Sequence, residues 1–193
     1  MNIFLGIGLK KGEVLLCNHD PQWEDAAKQT IRILYEILGD TAIDIQHVGS
    51  TSVKNIQAKP VIDLIVGVRA FEDIKRFSNV LEANGFFFVG CEGTERQPVY
   101  QCGEYDAVQK EMTFLTHYIH IVKFGSQQWL NYINVRDYLN SHSDEAKAYE
   151  KVKLESSRKN SESLRDYHSD KEMFVTALIK RANRWKKKSD LER

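Results

Sequence analysis

The chain has 193 residues, a length that suits one domain over residues 1–193, and a domain of this size buries roughly 70% of its unfolded surface, so its core needs no staples. Basic and acidic residues number 27 each, and the resulting formal charge of zero argues against a dedicated nucleic-acid binder, which carries a basic excess. The three cysteines, Cys17, Cys91 and Cys102, lack CxxC spacing and exclude a disulfide framework or paired-cysteine zinc site, so a reducing, cytoplasmic compartment is the simpler reading.

Ile3 to Leu9 is apolar, but no charged stretch precedes it and no small-residue cleavage site follows, so it does not read as a signal peptide. No apolar run is long enough to span a membrane. Glu13 to Cys17 reads as a short strand. Asp20 then caps a helix with Pro21 in its first turn, and Trp23, Ala26, Ala27, Ile31, Leu34 and Leu38 keep helical spacing up to Gly39. Ala42 to Val48 is a strand and residues 49–52 a turn. Val61 to Val68 is a nearly continuous apolar run, the pattern of a strand buried on both faces, interrupted by Asp63. Phe71 to Ala83 is helical, Phe86 to Val89 is a strand, residues 90–110 read as irregular, and Thr113 to Phe124 is a long strand. From Ser126 the chain is helical, with one helix around Trp129 to Tyr138, one over Asp144 to Ser156 and one from about Ser163 to Trp185. This order predicts an α+β fold, a small mixed β-sheet flanked by helices with a helical C-terminal part. Lys186 to Lys188 form a cationic end suited to a helix C-terminus.

Two features could carry chemistry. Gly49-Ser50-Thr51 follows a strand, and such a turn offers backbone N–H groups and hydroxyls to a phosphate, though turns in general are rich in these residues. Asp63 sits inside an apolar strand, where a carboxylate must be paired or open to a cleft; its partner is either a ligand in a functional site or a structural cation such as Lys59.

The stretch Gly8 to Gly12 with His19-Asp20-Pro21-Gln22-Trp23 resembles the opening of GrpB-like proteins. So does His47-Val48-Gly49-Ser50-Thr51-Ser52-Val53 followed by Lys59-Pro60-Val61-Ile62-Asp63. Thr116 to Val122 is similar to the histidine-bearing strand of that family, and Arg136 to Leu139, Tyr149 with Lys153, and Tyr167 with Lys171 are similar to its helical half. The resemblance covers nearly the whole chain. It implies a sheet of nucleotidyltransferase type, in which the Gly-Ser turn (Gly49, Ser50, Thr51) holds nucleotide phosphates and a strand carboxylate, Asp63, holds Mg²⁺. Lys59 and, from the helices, Tyr149 and Lys153 would complete the nucleotide site. Related domains fused to dephospho-coenzyme A kinases imply a nucleotide or coenzyme A link.

Two departures bear on activity. Nucleotidyltransferases space two acids as Asp-x-Asp or Asp-x-Glu on one side of a strand, and here the second position is Ile65. Where the family carries His-x-His this chain has Tyr118 and His120, with His117 on the opposite face; Glu92 or Glu111 could replace the missing acid. Tyr149 and Lys153 share a helix face, as do Tyr167 and Lys171, either to reach phosphates or as packing pairs with the lysine heads in water. The reading is a nucleotide- and Mg²⁺-binding protein that transfers a nucleotidyl group to an acceptor hydroxyl, with Asp63 and His120 catalytic. The alternative is a non-catalytic nucleotide- or coenzyme A-related binding module.

Overall fold

The computed structural model describes residues 6–93, 96–159 and 164–192, with the side chains of 164–168 outside the description. Tyr167 therefore lies outside the described side chains. The elements are β1 (Leu9–Lys10), α1 (Gln22–Leu38), β2 (Asp44–Val48), β3 (Ile62–Val68), α2 (Glu72–Lys75), α3 (Ser78–Ala83), β4 (Phe87–Glu92), β5 (Gln97–Asp106), β6 (Glu111–Lys123), α4 (Gln127–Ser141), α5 (Ser143–Lys159) and α6 (Leu164–Leu191). The strands form a mixed sheet in the order β2-β3-β6-β5-β4, with β1 on the end of β6; β3 and β6 are parallel and the other pairs antiparallel. This is the α+β architecture that the order of elements predicts.

The strand period of two divides β3 between two cores. Ile62, Leu64, Val66 and Val68 join α1, α2 and α3 in the larger one, with Trp23, Leu34, Phe86 and Ile119. Ile65 faces the other way and packs with Val48, Val122 and Trp129, where α4 crosses the sheet. A third cluster ties α4, α5 and α6 to Val53 and Ile56. The helix start at Pro21 follows the sequence: Asp20 Oδ1 accepts the Gln22 N–H at 2.9 Å, and Gly39 ends α1 at φ 52°.

Three sequence expectations are corrected. Residues 13–17 are not a strand. The first strand is Leu9–Lys10, the chain turns at Gly12 (φ +86°), and only Cys17 makes a bridge, to Ala58. Residues 71–83 form two short helices, α2 and α3, rather than one. Residues 90–110 are largely strand: β4 runs to Glu92, and β5 is held on both edges, by β4 and by the long β6. Local propensity around Gly93, Pro98 and Gly103 is poor, but paired neighbours satisfy the backbone regardless.

The three cysteines are free thiols. Cys102 is buried at 0% exposure, and burial pushes its thiol pKa up. A thiol reagent added to the native protein should therefore titrate Cys91 first, with Cys102 reacting only on unfolding.

Candidate functional site

Asp63 points to the sheet face opposite Ile62 and Leu64, the face that α4 partly covers. Its strand neighbours are Val48 on β2 and Tyr118 on β6. The chain leaves β2 at Gly49 with φ +71°, and a Cβ there would sit 2.2 Å from Asp63 Oδ2, so only glycine lets the turn rest on the carboxylate. A single 3₁₀ turn, Ser50–Ser52, follows, tied down by the Ser52 hydroxyl donating to Gly49 O at 2.7 Å. Thr51 is buried, and its hydroxyl lies 2.9 Å from His47 Nε2, so it braces the turn from beneath. Arg136 of α4 donates to Gln46 Oε1 at 2.8 Å and to His47 O at 3.1 Å, fixing the end of β2. Burial drives the His47 pKa down to about 4, against the pull of Asp63.

His120 lies two residues beyond Tyr118 and so shares the Asp63 face. Its Nε2 is 3.9 Å from Asp63 Oδ1 and its Nδ1 is 3.7 Å from Glu92 Oε2. These are ion-pair distances, too long for hydrogen bonds, and Nδ1 is buried without a hydrogen-bond partner. The imidazole is bracketed by the rings of Tyr118 at 6.0 Å and Tyr132 at 5.5 Å. Burial, and then the nearby Asp63 charge, raise both phenol pKa values, that of Tyr132 to about 12. His117 faces the opposite core, 3.1 Å from the Thr30 hydroxyl.

Two lysines, Lys59 and Lys171, feel the Asp63 charge, and a third, Lys153, feels both of them. Burial lowers the Lys59 pKa while Asp63 opposes the shift. Lys171 of α6 is lowered to about 7, chiefly by burial and then by Lys59, with Asp63 again opposing. Lys153 of α5 is also lowered to about 7, by burial and then by Lys171. Lys153 is only 1% exposed, and its ammonium donates to Gln57 O and lies 4.7 Å from the Tyr149 ring. Glu150 accepts the Gln57 N–H, and Lys147 donates to Asn55 O at 2.8 Å. The Tyr149 and Lys153 pair thus belongs to a clamp by which α5 grips the segment before β3, and its lysine head is buried rather than in water.

The structure brings Gly49, Asp63, His120, Lys59 and Lys171 into one electrostatic neighbourhood. Ser50 borders it on the turn. Of the two spare acids, Glu92 stands beside His120, whereas Glu111 pairs with Lys11 at the far end of β6. The sequence left Glu92 open because the β4–β5 hairpin went unrecognised, and the residues around Gly93, Pro98 and Gly103 carry no local strand pattern that would have found it. Tyr132 went unnoticed because only the packing of α4 on the sheet brings it to His120. Among the described residues no three metal-ligating side chains converge. Asp63 offers one carboxylate, and Ile65 is buried in the second acid position. That donor set suits one divalent ion completed by ligand phosphates and water, and does not suit a two-ion centre.

Residues 13–181 match the family described as GrpB protein. Among curated proteins, the glutamate-rich protein GrpB of Alkalihalophilus pseudofirmus is 31% identical over 174 residues, covering 90% of this chain and 98% of that one. Among solved structures, the conserved protein GrpB from Enterococcus faecalis superposes with a TM-score of 0.77 at 26% identity, over 87% of this chain and 96% of that chain. A weaker likeness, TM-score 0.47 at 15% identity over 71% of this chain and 42% of the other, is to the Cid1 poly(U) polymerase in an MgGTP-bound structure, and a likeness at that level says nothing about chemistry.

Proposed function

The chain belongs to the GrpB family, and from that premise we propose that the Asp63 face binds a nucleotide through its phosphates, with one Mg²⁺ held by Asp63. The observation that carries this reading is the setting of Asp63: a carboxylate resting on a glycine turn, with the buried Lys59 and Lys171 amines in its field. Mixed cations around one acid match a polyphosphate carrying a hard cation.

In this reading Lys59 and Lys171 neutralise phosphate oxygens, and the Gly49-Ser50 turn lets the phosphates approach the backbone. Mg²⁺, when bound, draws charge from the phosphoryl oxygens. His120 Nε2 accepts the proton of an acceptor hydroxyl that attacks the α-phosphate, as pyrophosphate leaves. Glu92 stands behind Nδ1, where it steadies the imidazolium that forms. Tyr149, Lys153 and Thr51 act by holding the walls of the site. Among the described residues no helix is long and apolar enough to cross a membrane; a cytoplasmic location is part of the proposal.

Ile65 favours a second reading, a nucleotide- or coenzyme A-related binding module without catalysis. Release of pyrophosphate from a nucleoside triphosphate separates the two.

Nucleoside triphosphate with Mg²⁺ at a hundredfold excess over Kd should stabilise the protein by about 2.7 kcal/mol, which is several degrees in melting temperature. Asp63→Asn should remove the Mg²⁺-dependent part and leave a smaller metal-free shift. If Asp63→Asn instead unfolds the apo protein at much lower temperature and leaves the ligand shift untouched, Asp63 is a structural partner of the lysines.

A further inference from the structure

A cavity of about 480 Å³ lies on the same sheet face as Asp63, with Lys59 and Tyr118 in its wall. Tyr118 stands opposite Asp63 in the sheet and Lys59 feels its charge, so the cavity borders the Asp63 site. Its volume is that of a small-molecule site.

Two irregularities in β6 build the cavity. Cys102 and Gly103 on β5 face His117 and Leu115, so Thr116 is an extra residue; Glu104 and Tyr105 face Phe114 and Met112, so Thr113 is another. Each bulge shifts the alternation by one. Met112, Leu115 and Tyr118, three apart, therefore share the cavity face, which strict alternation would forbid. The bulges are held: the Thr116 hydroxyl donates to Cys102 O at 3.0 Å and the Thr113 hydroxyl to Glu104 O at 3.2 Å. The result is an apolar floor with Tyr105 as a flat side wall.

The wall is also charged. It holds Lys10, Lys11, Lys59 and Lys110 against Glu13 and Glu111, four cations to two anions, and one of the anions, Glu111, pairs with Lys11. Lys10 and Lys110 are exposed.

We propose that this cavity is the acceptor subsite, taking a small molecule with an aromatic or apolar body and one anionic group. This rests on the nucleotide reading for the word acceptor, and on the cavity alone for the ligand class. The apolar body lies on Leu115 and Met112 against Tyr105, the anion meets Lys110, and the opposite end passes Tyr118 toward Asp63 and His120.

The probes are 8-anilinonaphthalene-1-sulfonate and its uncharged counterpart N-phenyl-1-naphthylamine, followed by fluorescence. The sulfonate should bind one per chain. Lys110→Glu, a surface change, should raise its Kd about tenfold while leaving the neutral probe unchanged, and Leu115→Trp should abolish binding of both. Saturating MgATP should leave both probes bound, because the two subsites are separate. Displacement of the sulfonate by MgATP would make the cavity the nucleotide's own site and overturn the assignment. Binding that ignores the Lys110 change also overturns it; that variant decides the matter if Leu115→Trp fails to fold. If MgATP stabilises neither the wild type nor the variants while the probes follow the substitutions, the nucleotide reading falls and the ligand class stands.

Discussion

Replacing Gly49 with alanine should destabilise the protein by at least about 2 kcal/mol and abolish ligand binding, the largest effect of a single methyl group anywhere in the site. Two costs combine. The backbone at φ +71° and ψ −170° is in a region open essentially to glycine alone, which costs an L-residue about 1–3 kcal/mol. The new methyl carbon would also lie 2.2 Å from Asp63 Oδ2 and 2.8 Å from its Cβ and Cγ. Asp63 is anchored in β3, which is paired on both sides by β2 and β6, so the turn has to yield. Gly12→Ala is the matching control: its φ is +86° and nothing lies within 4 Å of the new methyl. It should show the backbone cost alone, and the difference between the two in urea unfolding measures the contact with Asp63. Equal losses would mean that the turn does not rest on the carboxylate.

Stability should fall steeply as the pH drops from about 6.5 toward 4. Burial holds both His117 and His47 neutral in the fold, with pKa values of about 4 against an ordinary 6.5. Between these values the unfolded chain binds protons that the native state refuses, so the unfolding free energy decreases as pH falls. His117, 1% exposed, contributes about 3 kcal/mol across the window, at 1.36 kcal/mol per pKa unit. His117→Gln should flatten the acid limb while retaining a donor toward Thr30. The lysines act in the opposite window. Lys153 and Lys171, lowered to about 7, make the native state release protons first, so stability rises between about 7 and 10. A bound polyphosphate should weaken that trend through Lys171, because it favours the charged ammonium.

Much of the site was legible in the sequence because it depends on local spacing. The period of two places Asp63 and Ile65 on one face of β3, and puts His120 and Tyr118 on one face of β6 with His117 behind. The Gly49 turn was legible as a turn, although its contact with Asp63 depends on β2 and β3 lying side by side. What long-range pairing decides was not legible. β5 is a strand because β4 and β6 flank it, and this alone carries Glu92 to His120. Lys153 reads as an amphipathic lysine until α5 meets Gln57, whose carbonyl takes the ammonium out of water. The two bulges of β6 reverse its alternation between residues 112 and 118, and no residue pattern in Glu111 to Tyr118 announces them.

The most direct measurement is a crystal structure of the protein soaked with a non-hydrolysable nucleoside triphosphate and Mn²⁺, collected for the anomalous signal of the metal. One anomalous peak is expected, bonded to the Asp63 carboxylate, with triphosphate oxygens completing the ion, the Lys59 ammonium on a phosphate and the Gly49-Ser50 turn against the chain of phosphates. Nucleotide bound elsewhere, or an Asp63 that keeps its apo setting among the lysines with no ion beside it, would contradict the account.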